Sequence, residues 1–150
     1  MLLPPKQASL LCSLALAILL LLLSFTPTAS GKSVNDCSPS TFTDQTTRVS
    51  PLIEHCQKTA DNIRDGGKWR VETLTARWHQ ILQYRSCAFS VYAVDNLAYF
   101  KIGNQDIIDL IGDAIRMFGR DGYVGANDTM NCQTTANWVN GVRWYIWYNE

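Results

Sequence analysis

The stretch that decides the fold runs from Ile102 to Ile111 and reads IGNQDIIDLI. It leaves a short apolar run and continues as an amphipathic helix that Gly119 ends. Asn104 can cap this helix, and Asp106 is favourable near its positive end. The helix presents one apolar stripe: Ile107, Ile108, Ile111, Ile115 and Phe118.

A first amphipathic helix is predicted upstream, over residues 50–66. Ser50-Pro51 opens it, because serine accepts hydrogen bonds from free N–H groups and proline at the first position loses none. Gly66-Gly67 ends it. Its buried stripe places Cys56 where it can bridge to whatever the helix packs on, and comprises Leu52, Cys56, Ala60 and Ile63.

The remaining apolar segments alternate with the period of two that is typical of strands. A short strand is predicted at 69–73, followed by a long strand-like stretch over 78–94. A turn at Asp95-Asn96 then leads to a second short strand at 99–102. In that stretch one face carries Cys87, Phe89, Val91 and Ala93, and the other carries Ala88, Ser90, Tyr92 and Val94.

The C-terminal part is the most aromatic. Asn140-Gly141 is a hairpin signal, and 142–148 is predicted to be a strand. Val142, Trp144, Ile146 and Tyr148 share one face of it, opposite Arg143, Tyr145 and Trp147. The predicted fold is α+β: a two-layer sandwich with two amphipathic helices on one face of a four- or five-stranded antiparallel sheet. The other face is expected to be partly solvated.

The composition points to export. The chain has 150 residues and 47% hydrophobic residues, but Lys6 is the only charge before Gly31, and an almost unbroken apolar run covers 10–23. Small residues at 28–30 suit signal-peptidase cleavage, so 1–30 is predicted to be a cleaved signal peptide and 31–150 a single secreted, monomeric domain without a transmembrane segment. The 13 basic and 13 acidic residues give no nucleic-acid footprint.

Four cysteines remain after the leader: Cys37, Cys56, Cys87 and Cys132. In a small secreted chain these four cysteines imply two disulfides. A zinc site would need closely spaced cysteines such as a C-x-x-C pair, and the sequence has none. Three connectivities are open, of which Cys56–Cys87 with Cys37–Cys132 is favoured because the inner two cysteines face the core. Asn127-Asp128-Thr129 is the one N-glycosylation sequon and is expected in a surface loop.

No catalytic signature is present in the sequence. His55 and His79, with Glu54 or Glu72, are the only acid–base candidates, and nothing in the pattern brings the two histidines together. Three aspartates on the second helix (Asp106, Asp109 and Asp113) are expected to form a solvated face, since hard cations usually need a loop of oxygen ligands. No catalytic residue, metal or cofactor is therefore predicted.

The aromatic residues offer a binding hypothesis. Trp144 is expected to be buried, whereas Tyr145 and Trp147 would be exposed on the open sheet face, and exposed aromatic side chains anchor proteins or flat ligands such as sugars. The binding candidates are Tyr145, Trp147, Asn104 and Asp106.

Several blocks together resemble a known family. They are Asp36-Cys37, Ser40-Thr41-Phe42, Ser50-Pro51-Leu52, Cys56, Trp69, His79-Gln80, Cys87-Ala88-Phe89, the stretch Ile102 to Ile111, Gly119 to Gly122, Gly125, Met130 and Cys132. The chain resembles, over about 36–132, the fungal putative necrosis-inducing factor family, homologues of a secreted protein of the tomato leaf-mould pathogen. The resemblance implies a killer-toxin-like α/β sandwich and an extracellular effector associated with plant cell death or virulence.

The leading hypothesis is thus an effector that binds a plant-host or competitor component, protein or glycan, in the extracellular space. One alternative is a small hydrolase acting on RNA or wall glycan, with His55, His79 and Glu72 as candidates. The other is a membrane-perturbing toxin, for which the sequence offers no basic amphipathic helix.

Overall fold

The computed structural model describes residues 32–72, 77–94, 99–136 and 138–150. The predicted leader, residue 73 of the first predicted strand and the Asp95-Asn96 turn lie outside these residues. In order, the elements are β1 (Thr43–Asp44), α1 (Ile53–Asp61), β2 (Lys68–Val71), β3 (His79–Tyr84), β4 (Cys87–Ala93), β5 (Phe100–Gly103), α2 (Asn104–Phe118), β6 (Ala126–Gln133) and β7 (Val139–Tyr148).

Five strands form an antiparallel sheet in the order β1-β6-β7-β4-β3, and the last strand of the chain is its centre. β7 pairs with β6 on one side and with β4 on the other. The α+β class and a five-stranded antiparallel sheet with two helices agree with the prediction. A second sheet, in which β2 pairs with β5, was not predicted.

One hydrophobic core joins the buried face of the large sheet to the helices and to β2 and β5. Trp144 is fully buried, as predicted, and stacks on Phe89 at 6.4 Å between ring centroids. The α2 stripe turns Ile107, Leu110, Ile111 and Ala114 into this core. Burying side chains of this size provides about 25 cal/mol per Å² of apolar surface, which makes the core the main source of stability.

Two disulfides close the chain: Cys37–Cys132 and Cys56–Cys87. This is the connectivity favoured on the sequence. The inner disulfide ties α1 to the first residue of β4, and Cys56 is fully buried on the predicted face of its helix. The outer disulfide ties the N-terminal segment to β6.

Several boundaries differ from the prediction. The stretch 78–94 is two strands, because the chain turns at Arg85 with φ 49. Asn140-Gly141 lies inside β7 and is not a hairpin turn; the chain turns before Val139. The Asn127 sequon lies in β6 and not in a loop.

The predicted caps also differ. Leu52, not Ser50, precedes α1, and the Ser50 hydroxyl instead accepts the Thr47 N–H and donates to the Gln45 carbonyl. At α2 the capping position is Gly103, and Asn104 is the first helical residue.

Candidate functional site

The solvent-facing side of the large sheet carries a cluster of aromatic rings. Strand register places Tyr145 opposite Ser90, Trp147 opposite Ala88, and Tyr92 opposite Arg143, so these side chains share the face turned away from the core. Trp78, just before β3, reaches over them. We call Trp78, Tyr92, Tyr145 and Trp147 the aromatic face.

Within the aromatic face, the Trp78 ring contacts two of the others. The Trp78 ring centroid lies 5.7 Å from that of Tyr92 and 6.1 Å from that of Tyr145, both tilted. Such spacings are typical of favourable aromatic pairs. Trp147 donates its indole N–H to the Ser90 hydroxyl at 2.8 Å, which fixes its ring against the neighbouring strand.

Exposure on this face is not distributed as predicted. Tyr145 and Trp147 are half-buried, whereas the sequence pattern predicted that they would be exposed. The exposed ring is Trp78, with half of its surface accessible. Trp78 was not singled out as a binding candidate, because the hairpin within the stretch 78–94 was not recognised. Its one signal in the sequence was a large aromatic residue at the start of that stretch.

The surroundings of the aromatic face are polar and include one charge of each sign, Asp128 and Arg143. A groove of about 250 Å³ runs along Trp78 toward β6 and β1, and its walls include Asn127, Thr129, Thr43 and Arg143. The Asp128 carboxylate at its edge accepts hydrogen bonds from the Thr41 and Thr43 hydroxyls at 2.7 and 2.9 Å. The Thr41 hydrogen bond, ahead of its other contacts, lowers the pKa of Asp128.

Asn104 and Asp106, the other binding candidates, hold the chain together in this structure. The Asp106 carboxylate accepts the backbone N–H groups of Gly103 and Asp36 at 2.8 Å and that of Cys37 at 3.3 Å. Burial raises the pKa of Asp106, while these N–H donors act in the opposite direction. Asn104 accepts the Val34 N–H and donates to the Ile63 carbonyl.

We call residues 32–38 the N-terminal strap. The polar residues of the GNQD motif fasten this strap to the start of α2, and Asn104 also fastens the end of α1. The polar side chains of the GNQD motif are therefore accounted for by hydrogen bonds to other segments of the same chain.

The two histidines lie apart. His55 contacts the Tyr84 ring at 5.9 Å, while His79 is the first residue of the strand that Tyr84 ends. Tyr84 is five residues along β3 from His79, about 16 Å in an extended strand. The hydrolase alternative, which needs His55 and His79 in one site, therefore has no support in this geometry, and Glu72 follows β2 in the other sheet.

His55 has another partner. Its Nδ1 lies 2.8 Å from the Ser86 hydroxyl, which also accepts the Leu52 N–H at 3.2 Å. The contact joins the β3–β4 turn to the start of α1, beside a groove of about 630 Å³. Because the serine oxygen already serves the helix start, we describe it as a structural link.

The expectation that the three α2 aspartates form a solvated face is wrong for Asp106, which is buried, whereas Asp109 and Asp113 lie at the surface. Asp109 accepts from the Gln105 amide and Asp113 from Arg116. Within the described residues, no three His, Cys, Asp or Glu side chains form a group that could hold a metal ion. None of the described helices is long and apolar enough to cross a membrane.

Comparison with known proteins identifies the family. A family model described as "Pathogen effector; putative necrosis-inducing factor" matches residues 36–132. The chain belongs to this family. The match has the limits that the sequence resemblance predicted, and it contains the four disulfide-bonded cysteines and the GNQD motif, but it stops before β7.

A relative from Penicillium expansum, named "Probable chitinase LysM18", is 32% identical to the chain over 108 residues. The alignment covers 70% of this chain and 7% of that much longer protein. The effector-family chain is therefore similar to a small part of it.

Proposed function

We propose that the protein is a secreted fungal effector that promotes plant cell death or virulence by binding a host or competitor component through the aromatic face. Membership of the effector family carries the first half of this proposal. Two disulfides, which persist in oxidising compartments, support secretion.

The aromatic face supports binding as the mode of action. It combines rigid rings, one of them half exposed, with hydrogen-bonding side chains around a shallow groove. Interfaces concentrate their binding energy on tryptophan, tyrosine and arginine, which are the residue types grouped at this surface. The two histidines that would serve a hydrolase lie apart, so no observation favours turnover.

Nothing favours the membrane-perturbing alternative either. The longer of the two helices in the described residues, α2, carries Asp106, Asp109 and Asp113 against a single arginine. Membrane-surface helices have a basic polar face, which anionic lipids attract. Dye release from liposomes by the purified protein would contradict this conclusion.

The direct test is infiltration of purified, disulfide-intact protein into leaves of a panel of plants. We expect cell death with the parent and with Trp138→Ala, which removes an exposed tryptophan outside the aromatic face. Trp78→Ala is expected to raise the required dose about ten-fold, the effect of losing one modest anchor residue. Circular dichroism would verify that both variants fold.

Two results would count against the proposal separately. An inert parent protein, together with unchanged virulence of a strain lacking the gene, would remove the effector function. Equal potency of Trp78→Ala and parent would keep the effector function and remove the aromatic face as its binding surface.

A further inference from the structure

The N-glycosylation sequon lies on the aromatic face. Asn127 and Thr129 alternate with Asp128 along β6, and strand register places Asn127 directly opposite Tyr145 and Thr129 opposite Arg143. Thr129 is exposed and Asn127 is half-buried at the edge of the groove. A sugar attached to the Asn127 side chain would therefore start on this face and not on a loop away from it.

The distances favour contact between such a sugar and the rings. Directly opposed residues of antiparallel strands have Cβ atoms about 4.5–5.5 Å apart, so the Asn127 amide is one side chain away from Tyr145. Trp78 borders the same groove and lies 6.1 Å from the Tyr145 ring. A pyranose attached to Asn127 would thus lie beside the Tyr145 ring, with the Trp78 ring no farther away than about the length of one sugar.

The chemistry of the groove fits the first sugar of an N-linked glycan. The apolar C–H side of a pyranose packs on the flat side of an aromatic ring. Tyrosine and tryptophan suit this contact because each combines an apolar ring with a polar group. Its hydroxyl and N-acetyl groups need hydrogen-bond partners, and Thr43 and Arg143 line the groove. Asp128 keeps its carboxylate on the two threonine hydroxyls, so the charged group left to meet the sugar is the Arg143 guanidinium, which can donate hydrogen bonds to it.

We propose that Asn127 carries an N-linked glycan whose first N-acetylglucosamine packs on Trp78 and Tyr145. The groove of the aromatic face is then the seat of the protein's own glycan. One consequence rests on the function proposed above: a full-length glycan covers part of the binding surface, so glycosylated and unglycosylated protein differ in their access to the target.

The test uses the full chain secreted from yeast, with the mass of the intact protein measured before and after enzymatic removal of N-glycans. Four proteins are compared by thermal unfolding: parent, Asn127→Gln, Trp78→Ala and the double variant. We expect the glycosylated parent to melt about 3 °C above Asn127→Gln, the shift that a contact of this size gives in a domain of this length. In the Trp78→Ala background the same difference should disappear.

Matched controls separate the contact from side effects. Trp138→Ala removes an exposed tryptophan away from the groove and should leave the 3 °C difference intact. Thr129→Ala breaks the sequon without touching Asn127 and should melt like Asn127→Gln. Trimming the glycan to a single N-acetylglucosamine should preserve the difference, since only the first sugar reaches the rings.

Absence of carbohydrate mass at Asn127 would overturn the proposal, and so would a melting difference of equal size in the Trp78→Ala background. Neither readout depends on cell death, so failure of the proposed function leaves this test unaffected. If the packing holds and trimmed and full glycan give equal potency in leaves, only the consequence for target access is wrong.

Discussion

At the scale of single residues, a close approach between two segments of backbone explains why Gly103 is a glycine. A Cβ built on Gly103 would lie 1.9 Å from the Val34 carbonyl oxygen, in the N-terminal strap. The φ of Gly103 is −85°, which any residue adopts, so space and not conformation requires glycine here. The same residue donates its N–H to Asp106, which holds the strap from the other side.

A pair of glycine variants tests this explanation. Gly103→Ala must push the strap away and is expected to cost about 2–3 kcal/mol of unfolding free energy, as overpacking does. Gly112→Ala, inside the helix that Gly103 caps and on its exposed side with no atom near the new methyl group, should stabilise by about 0.5–1 kcal/mol. Chemical denaturation measures both; equal effects of the two variants would contradict the explanation.

Asp128 makes stability depend on acidity. Its folded pKa is lowered from 3.8 by the threonine hydrogen bonds, so the native state releases the proton more readily than the unfolded chain. The resulting stabilisation is complete above pH 3.8 and is lost as the pH falls through the lower folded value. Asp44, whose pKa is lowered first by the Arg120 hydrogen bond, acts with the same sign, and Asp106, with a raised pKa, acts with the opposite sign.

Asp128→Asn should therefore destabilise the protein at pH 7 by about 1 kcal/mol, a modest value because the site is largely exposed. The deficit should shrink as the pH falls below 4. Urea unfolding at a series of pH values on unglycosylated protein measures it, with Asp121→Asn in an exposed turn as the equal-charge control. A deficit independent of pH would contradict the assignment.

At the scale of elements, a helix or strand could be predicted where its apolar residues recur with an unbroken period. The α2 stripe and the alternation of residues 87–93 were recognised because their apolar periodicity is unbroken. β6 reads ANDTMNCQ and was missed, because only Ala126, Met130 and Cys132 face the core and its strand state is imposed by its neighbours.

The misplaced hairpin has a specific cause. Gly141 pairs with Asn131 in the β6–β7 ladder, and a Cβ built on it would lie 3.3 Å from a Val94 methyl group. The sequence signal Asn-Gly was therefore produced by a close packing contact between strands and not by a turn. The turn between β3 and β4 has Arg85 at positive φ, and it lacks the glycine or asparagine by which such a turn is recognised in a sequence.

The two disulfides fix different elements and should differ in worth. The inner bond spans 31 residues and the outer one 95, which in the chain-entropy estimate corresponds to about 3.7 and about 4.7 kcal/mol. We expect the Cys37→Ala/Cys132→Ala protein to be less stable than the Cys56→Ala/Cys87→Ala protein. Guanidinium unfolding of both compares them, and an inner pair that costs clearly more would show that core packing outweighs loop closure.

At the scale of the whole molecule, the sheet is completed by its last strand. β7 lies between β6 and β4 and supplies Trp144 to the core, yet the family match ends before it begins. Residues 36–132 therefore contain both described helices and the four disulfide-bonded cysteines, but the strand that joins the two halves of the sheet lies beyond them.

A chain ending at residue 138 should not fold. Without β7, β6 and β4 lose their shared neighbour and the core loses its largest side chain, so we expect no cooperative thermal transition and poorly dispersed amide NMR signals. Removal of Glu150 alone is the control and should leave the transition in place. A cooperative transition in the 1–138 chain would show that the family-matched region folds alone.

The nested arrangement of the disulfides has a consequence for proteolysis. The inner bridge lies within the loop closed by the outer one, so a single backbone cleavage anywhere between Cys37 and Cys132 leaves the two fragments covalently joined. The sheet, whose strands from both fragments remain paired, then holds the cut ends in register. A protease has to cleave at least twice before any piece of this region can separate.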